Sequence, residues 1–241
     1  MKRLKKILFL LAAVPVIACA SEGGPPLDKA PVNLSDHASL QRGARIFVNY
    51  CLNCHSAASM RYSRMQDLGL TEDQIKENLM FAAEKPGETM TVAMDKKEAK
   101  GWFGSAPPDL SVIARARGSD WLYTYLRSFY RDDSRPTGWN NVVFDKVAMP
   151  HVLWSLQGEM VPVMKKEGEH EVIERLELAK PGSVTLAEYD AMVGDLVNYL
   201  TWMGEPAQLE RKQLGLIVLA FLAFFFVVVY YLKKEFWKDV H

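Results

Sequence analysis

Cysteine is scarce in this chain, with three in 241 residues. That scarcity leaves no material for a disulfide framework, and a zinc centre would need partner ligands that the chain lacks. Net charge is missing as well: lysine plus arginine and aspartate plus glutamate each number 29. The balance gives no sign of binding to nucleic acid. There is no internal repeat and no long low-complexity segment. What stands out lies at the two ends.

The first end reads as an export signal over residues 1–20. Lys2, Arg3, Lys5 and Lys6 precede an apolar run from Ile7 to Ala18. Ala18-Cys19-Ala20 then fits a small-residue cleavage site, with Ser21 opening the mature chain. The run is too short to cross a bilayer comfortably, which favours cleavage over anchoring. Val16-Ile17-Ala18-Cys19 also loosely resembles a lipoprotein box, which would leave Cys19 lipidated.

The other end reads as a membrane span. Leu214 to Leu232 carries no charge and at ~1.5 Å per residue covers roughly 28 Å, about the hydrocarbon thickness of a bilayer. Tyr230, Tyr231 and Trp237 suit the interface. Lys233, Lys234 and Lys238 follow the span while Arg211 and Lys212 precede it, a slight excess that puts the tail in the cytoplasm. The organisation expected is a signal (1–20), a periplasmic domain (21–208), and an anchor surrounded by membrane lipid with a short cytoplasmic tail (209–241). This corresponds to a single-pass protein of the bacterial inner membrane.

Between the ends the periodicity is helical. An extended arm reaches to about Leu34, and a first helix spans Asp36 to about Tyr50, with Leu40, Gly43, Ala44, Phe47, Val48 and Cys51 on one face. Thr71 and Gln74 form a capping box that opens a helix running to about Glu84. Pro86, Gly87, Gly101 and Gly104 make Lys85 to Ser105 irregular. A helix capped by Ser119 runs from Asp120 to about Tyr130. Asp132 to Pro150 is loop, and Val152 to Leu178 holds a short hairpin. Thr185 and Glu188 cap the last helix before the span, which carries a stripe of Leu186, Tyr189, Val193, Leu196 and Leu200 and stops at Gly204 and Pro206.

Cys51-Leu52-Asn53-Cys54-His55 is the C-x-x-C-H pattern of covalent haem attachment. Two thiols three residues apart reach the two vinyl groups of one haem, and the next imidazole comes beneath the iron. A redox disulfide would call for a βαβ context, which is absent. The sixth ligand decides the chemistry, since a methionine closes the iron for electron transfer whereas an open position admits ligands or peroxide. Met149 stands apart in its loop before Pro150. His151, Met160 and Met164 are rivals.

Gly43, eight residues before Cys51, together with Leu196 and Tyr199 resembles the crossing of first and last helices in class I cytochromes c. More specifically, the chain resembles cytochrome c1, the haem subunit of quinol:cytochrome c reductase. The resemblance rests on C-L-N-C-H, then Pro107-Pro108-Asp109-Leu110-Ser111 running into Arg115-Ala116-Arg117. Ala148-Met149-Pro150, Trp202-Met203-Gly204-Glu205-Pro206 and the terminal span follow in order. It implies a mainly α, class I cytochrome c-like haem domain with insertions plus one C-terminal transmembrane helix, carrying one haem c. It implies Met149 as axial ligand beside His55, Arg117 near a haem propionate, and Pro107-Pro108 beside the histidine, where a backbone carbonyl can accept its Nδ1 proton.

It further implies an electron taken from the Rieske iron–sulfur subunit and passed to a soluble cytochrome c or equivalent acceptor, with cytochrome b as a neighbour and no independent catalysis. The alternative is a membrane-anchored mono-haem cytochrome c of a terminal oxidase or another respiratory chain, which should not show P-P-D-L-S with R-A-R. The chain departs from mitochondrial members at Trp102-Phe103-Gly104-Ser105. It also lacks the extra disulfide of some bacterial relatives, so its Met149 loop must be held by packing. Glu167, Glu169, Glu171, Glu174 and Glu177 form an acidic stretch with two readings, a surface that helps steer a basic cytochrome and a solvated face, of which the second is favoured.

Overall fold

The computed structural model describes residues 25–168 and 170–239. The expected export signal, residues 1–20, and Cys19 within it lie outside the described residues. The elements run α1 (His37–Ile46), a π turn (Phe47–Cys51), β1 (Ala57–Arg61), a 3-10 helix (Tyr62–Leu68), α2 (Glu72–Asn78) and β2 (Thr89–Met90). Next come α3 (Lys96–Phe103), α4 (Ile113–Arg117), α5 (Ser119–Arg127), β3 (Phe129–Arg131), β4 (Trp139–Asn141) and α6 (Trp154–Gln157). Last are β5 (Gly158–Glu167), β6 (His170–Pro181), α7 (Leu186–Gly204) and α8 (Gln208–Phe236). The strands form three antiparallel pairs, β1 with β2, β3 with β4, and β5 with β6.

The core is built where α1 crosses α7. Every residue of the α1 apolar face read from sequence is buried, from Leu40 to Cys51. On α7, Tyr189, Val193, Leu196 and Leu200 are buried while Leu186, the first helical residue, stays at the surface before the helix reaches the core. At the crossing a Cβ on Gly43 would lie 2.1 Å from the carbonyl oxygen of Asp195 and 2.7 Å from the Tyr199 Cβ. Only glycine fits that approach. Arg42 next to it clasps Asp195 through two bonds of 2.6 and 2.9 Å.

The arm before α1 is laid onto this core. Asp120 accepts from the Ala30 amide, Thr124 from the Asp28 amide, and Asn198 both accepts from and donates to the backbone of Asn33. Ala30 and Leu34 are buried by these ties.

Several elements differ from expectation. Helix α2 stops at Asn78 instead of running to Glu84. The stretch beyond it is drawn back onto the 3-10 helix, with the Tyr62 amide donating to Glu88 and the Ser63 amide to Pro86. Tertiary stitching overrides the local helical pattern. The segment 85–105 is not wholly irregular, because Asp95 caps α3 by accepting from the Lys97 and Glu98 amides and Gly104 closes it in a left-handed conformation. Ser119 is the first residue of α5 rather than its cap, and that helix ends at Arg127, where the chain turns into β3. The loop 132–150 contains β4. The hairpin is present and longer than read, Gly158 to Pro181. Within it Arg175 bonds both Glu174 (2.9 Å) and Glu177 (2.7 Å), which neutralises part of the acidic stretch, while Glu169 lies outside the described residues.

Among the described residues α8 is the helix long and apolar enough to cross a membrane, and its apolar stretch is not covered by the rest of the protein. Its 29 residues extend about 44 Å, more than the ~30 Å hydrocarbon core, so both ends reach the headgroups. Only residues 205–207 separate it from α7. Glu205 braces this joint, paired with Arg211 on the span side and with Arg115 of α4 at 3.4 Å.

The crossing is tested by Gly43→Ala. Alanine gains roughly 0.5–1 kcal/mol of helix propensity over glycine, but overpacking against a backbone carbonyl costs about 3 kcal/mol. The clash should win, lowering the denaturant midpoint followed by circular dichroism; a midpoint equal to or above wild type would show that the helices can separate freely.

Candidate functional site

Helix α1 does not end as an ordinary helix. At Phe47–Cys51 it widens into a π turn, with the Leu52 amide donating to the Phe47 carbonyl. Turns of this kind insert one extra residue and re-aim side chains. The chain then folds over the helix end, the Cys54 and His55 amides both donating to the Cys51 carbonyl at 3.1 and 2.8 Å. Cys51, Cys54 and His55 are thereby presented together to one cavity of about 370 Å³.

The opposite wall comes from three other parts of the chain. Pro107, Pro108 and Leu110 supply one side, Trp121 and Tyr125 of α5 another, and Met149 with Pro150 a third, while Leu196 and Leu200 of α7 close the back. The wall is predominantly apolar. Phe103 and Phe144 sit at the same cavity. All six site residues read from sequence, Cys51, Cys54, His55, Pro108, Arg117 and Met149, line it.

The His55 ring is tied to the Pro107-Pro108 segment. Its Nδ1 lies 2.8 Å from the Pro108 carbonyl oxygen. A carbonyl can only accept, so Nδ1 carries the proton and the Nε2 lone pair is left available for a metal. Burial lowers the His55 pKa, against the pull of Pro108 and Asp109, which favours the neutral, ligating form.

The P-P-D-L-S segment is zipped to the residues just after the histidine. The Leu110 amide donates to the Ser56 carbonyl (2.8 Å), the Ala58 amide to Asp109 Oδ2 (2.8 Å), and the Ser59 amide to Ser111 Oγ (3.0 Å). Burial would raise the pKa of Asp109, but hydrogen bonds from Ser111 and Ala58 outweigh it and hold the carboxyl below its usual range. Each polar residue of the motif therefore has a defined partner, and the register of Pro108 against His55 follows.

Cys51 and Cys54 are not joined to each other by a disulfide. Burial pushes Cys51 up to about 12, with Cys54 adding to the effect, and burial also raises Cys54. A redox dithiol needs a depressed thiol pKa, so this environment speaks against a disulfide exchanger.

Met149 reaches the cavity, and its rivals do not. His151 is 2% exposed, stacked on Phe129 at 4.8 Å and set edge-on against Trp139 at 5.1 Å. Its Nε2 is buried without a hydrogen-bond partner and burial depresses its pKa to about 4; it is a core residue. Met160 is buried at the hairpin base and Met164 is exposed on the hairpin. Arg117 sits at the cavity rim with its guanidinium 5.1 Å from the Trp121 ring centroid.

Sequence reading missed the aromatic wall. Arg117, Trp121, Tyr125 and Phe129 recur every four residues, and that spacing was the available signal. Trp121 and Tyr125 stack at 4.7 Å and 11°, and Tyr125 meets Phe129 edge-on at 5.1 Å.

Both cysteines, a histidine of fixed tautomer and a methionine line one apolar cavity, ahead of an apolar helix long enough to cross a membrane; this is the arrangement of a c-type cytochrome. Residues 28–240 match the Cytochrome C1 family, and the chain belongs to it. Cytochrome c1 of Allochromatium vinosum is 50% identical over the full length of both chains, and cytochrome c1 of Rhodospirillum rubrum is 30% identical over 96% of this chain and 94% of its own. A protein of Nitrosomonas europaea named ammonia monooxygenase gamma subunit is 51% identical over both full lengths. Proteins of this family carry one covalently bound c-type haem and serve as the membrane-anchored electron-transfer subunit of the cytochrome bc1 complex. The terminal-oxidase alternative is not favoured.

The thiol environment is open to test. In chain produced without haem attachment, Cys51 at pH 8 should alkylate about a thousandfold more slowly than an unperturbed cysteine, because the thiolate is the reactive form. Its rate should climb with pH towards 12; alkylation of Cys51 at the rate of a free thiol, read by mass spectrometry, would contradict its burial.

Proposed function

We propose that Cys51 and Cys54 would hold the haem through two thioethers, that His55 and Met149 would ligate its iron, and that the haem domain, residues 21–208, stands on the periplasmic side of the anchor, residues 209–241. The electron arrives from the Rieske iron–sulfur subunit and leaves to a soluble cytochrome c or an equivalent acceptor, with cytochrome b as the neighbour in the membrane. The observation that carries this reading is the convergence of both thiols, the Pro108-tethered His55 and Met149 on one apolar cavity.

When bound, haem supplies a one-electron couple of its iron. The protein's part is to hold and shield that couple. His55, with its proton committed to Pro108, cannot rotate away without losing that bond. The apolar walls from α5 and α7 exclude water, so charge on the iron is felt strongly by its surroundings. Arg117, steadied over Trp121, puts a fixed positive group at the rim where a propionate carboxylate can be neutralised. No nucleophile or general base is required. A methionine that closes the sixth position favours electron transfer over ligand binding.

Met149→Leu tests the assignment in solubilised membranes. The variant should lose the far-red charge-transfer feature of the oxidised protein, and after reduction it should bind carbon monoxide, which the wild type should resist. An unchanged spectrum and unchanged carbon monoxide resistance would remove Met149 from the iron.

A further inference from the structure

The loop that carries Met149 has no disulfide to hold it, since among the described residues the two cysteines are those of the attachment motif. It is gripped instead by aromatic rings on a neighbouring stretch of chain. The Tyr125 hydroxyl donates to Met149 Sδ at 3.4 Å. Two residues further on, the His151 ring lies parallel to Phe129, 4° between planes.

Tyr125 is itself held tightly. It is 8% exposed, with its ring flat against Trp121 on one side and edge-on to Phe129 on the other. Arg117 covers the far side of that stack through Trp121. The ring cannot turn without breaking these contacts, so the hydroxyl is delivered to one place. A buried hydroxyl needs an acceptor, and the acceptor it meets is the sulfur.

We propose that Tyr125 is a positioning residue, its hydroxyl fixing which lone pair of Met149 Sδ faces the cavity and drawing electron density from that sulfur. The proposal rests on Met149 as the axial ligand. A thioether sulfur has two lone pairs. With one turned to the Tyr125 proton, the other is left for a metal, and the side chain is confined to the rotamers that satisfy both. Because the hydrogen bond withdraws density, the sulfur becomes a poorer donor to the oxidised iron, which needs donation more than the reduced iron does. Hydrogen bonds around a ligand tune a redox centre in this way. The bond should therefore raise the reduction potential.

The test is a redox titration and an oxidised spectrum of the solubilised, assembled protein with Tyr125→Phe, which keeps the ring stack and removes only the hydroxyl. The expected result is a lower midpoint potential together with a shifted far-red charge-transfer band, while carbon monoxide resistance is retained. A potential and band equal to wild type would overturn the proposal. So would failure of Tyr125→Phe to accumulate with haem, because the hydroxyl would then serve folding rather than the sulfur. Met149→Leu measured in parallel separates the two ideas. If it alters the band while Tyr125→Phe does not, only the positioning role falls; if neither alters it, the axial assignment falls first.

Discussion

The close approach of two helices at Gly43 is the constraint on which the other parts rely. With no side chain at that position, the Asp195 carbonyl and Tyr199 occupy the space where a Cβ would stand. That contact fixes α1 against α7. The end of α1 is then committed to a place beside Leu196 and Leu200, and the π turn delivers Cys51 there. The clasp of Arg42 on Asp195 is partly exposed and contributes little by comparison, since such pairs are typically worth under about 1 kcal/mol. Steric fit decides the geometry, and charge reinforces it.

From this platform the site is completed by segments with little structure of their own. Pro107 to Ser111 is held by hydrogen bonds to Ser56, Ala58 and Ser59, and through Pro108 it orients His55. The Met149 loop rests on α5 and β3 through Tyr125 and Phe129. Loops of this kind carry function because a rigid scaffold fixes them. Here the scaffold acts on each loop through a named contact: a backbone carbonyl for the histidine, a stacked ring for His151.

Much of this was legible in the sequence because it is local. C-x-x-C-H fixes three residues in a row, the capping box at Thr185 and Glu188 is present as read, and the terminal helix is marked by its lack of charge. Pro108 and Met149 came from family resemblance, and both line the same cavity. What escaped depends on contacts between distant segments. The early stop of α2 follows from the pairing of Pro86 and Glu88 with the 3-10 helix and of Thr89 and Met90 with β1, a long-range effect that no local pattern at Asn78 records. Helix α3 was missed for a different reason: its capping signals at Asp95 and Gly104 were local, but Gly101 within it read as a breaker. The burial of His151 could not be read from its position beside Met149, because the rings that enclose it come from β3, β4 and α7.

The three-residue joint between α7 and α8, pinned by Glu205 between Arg115 and Arg211, acts as a short mast. A long linker would let the soluble part roam over the bilayer, with an end-to-end spread that grows with its length. This joint leaves almost no slack, so the direction in which α8 leaves the domain is set by the chain itself.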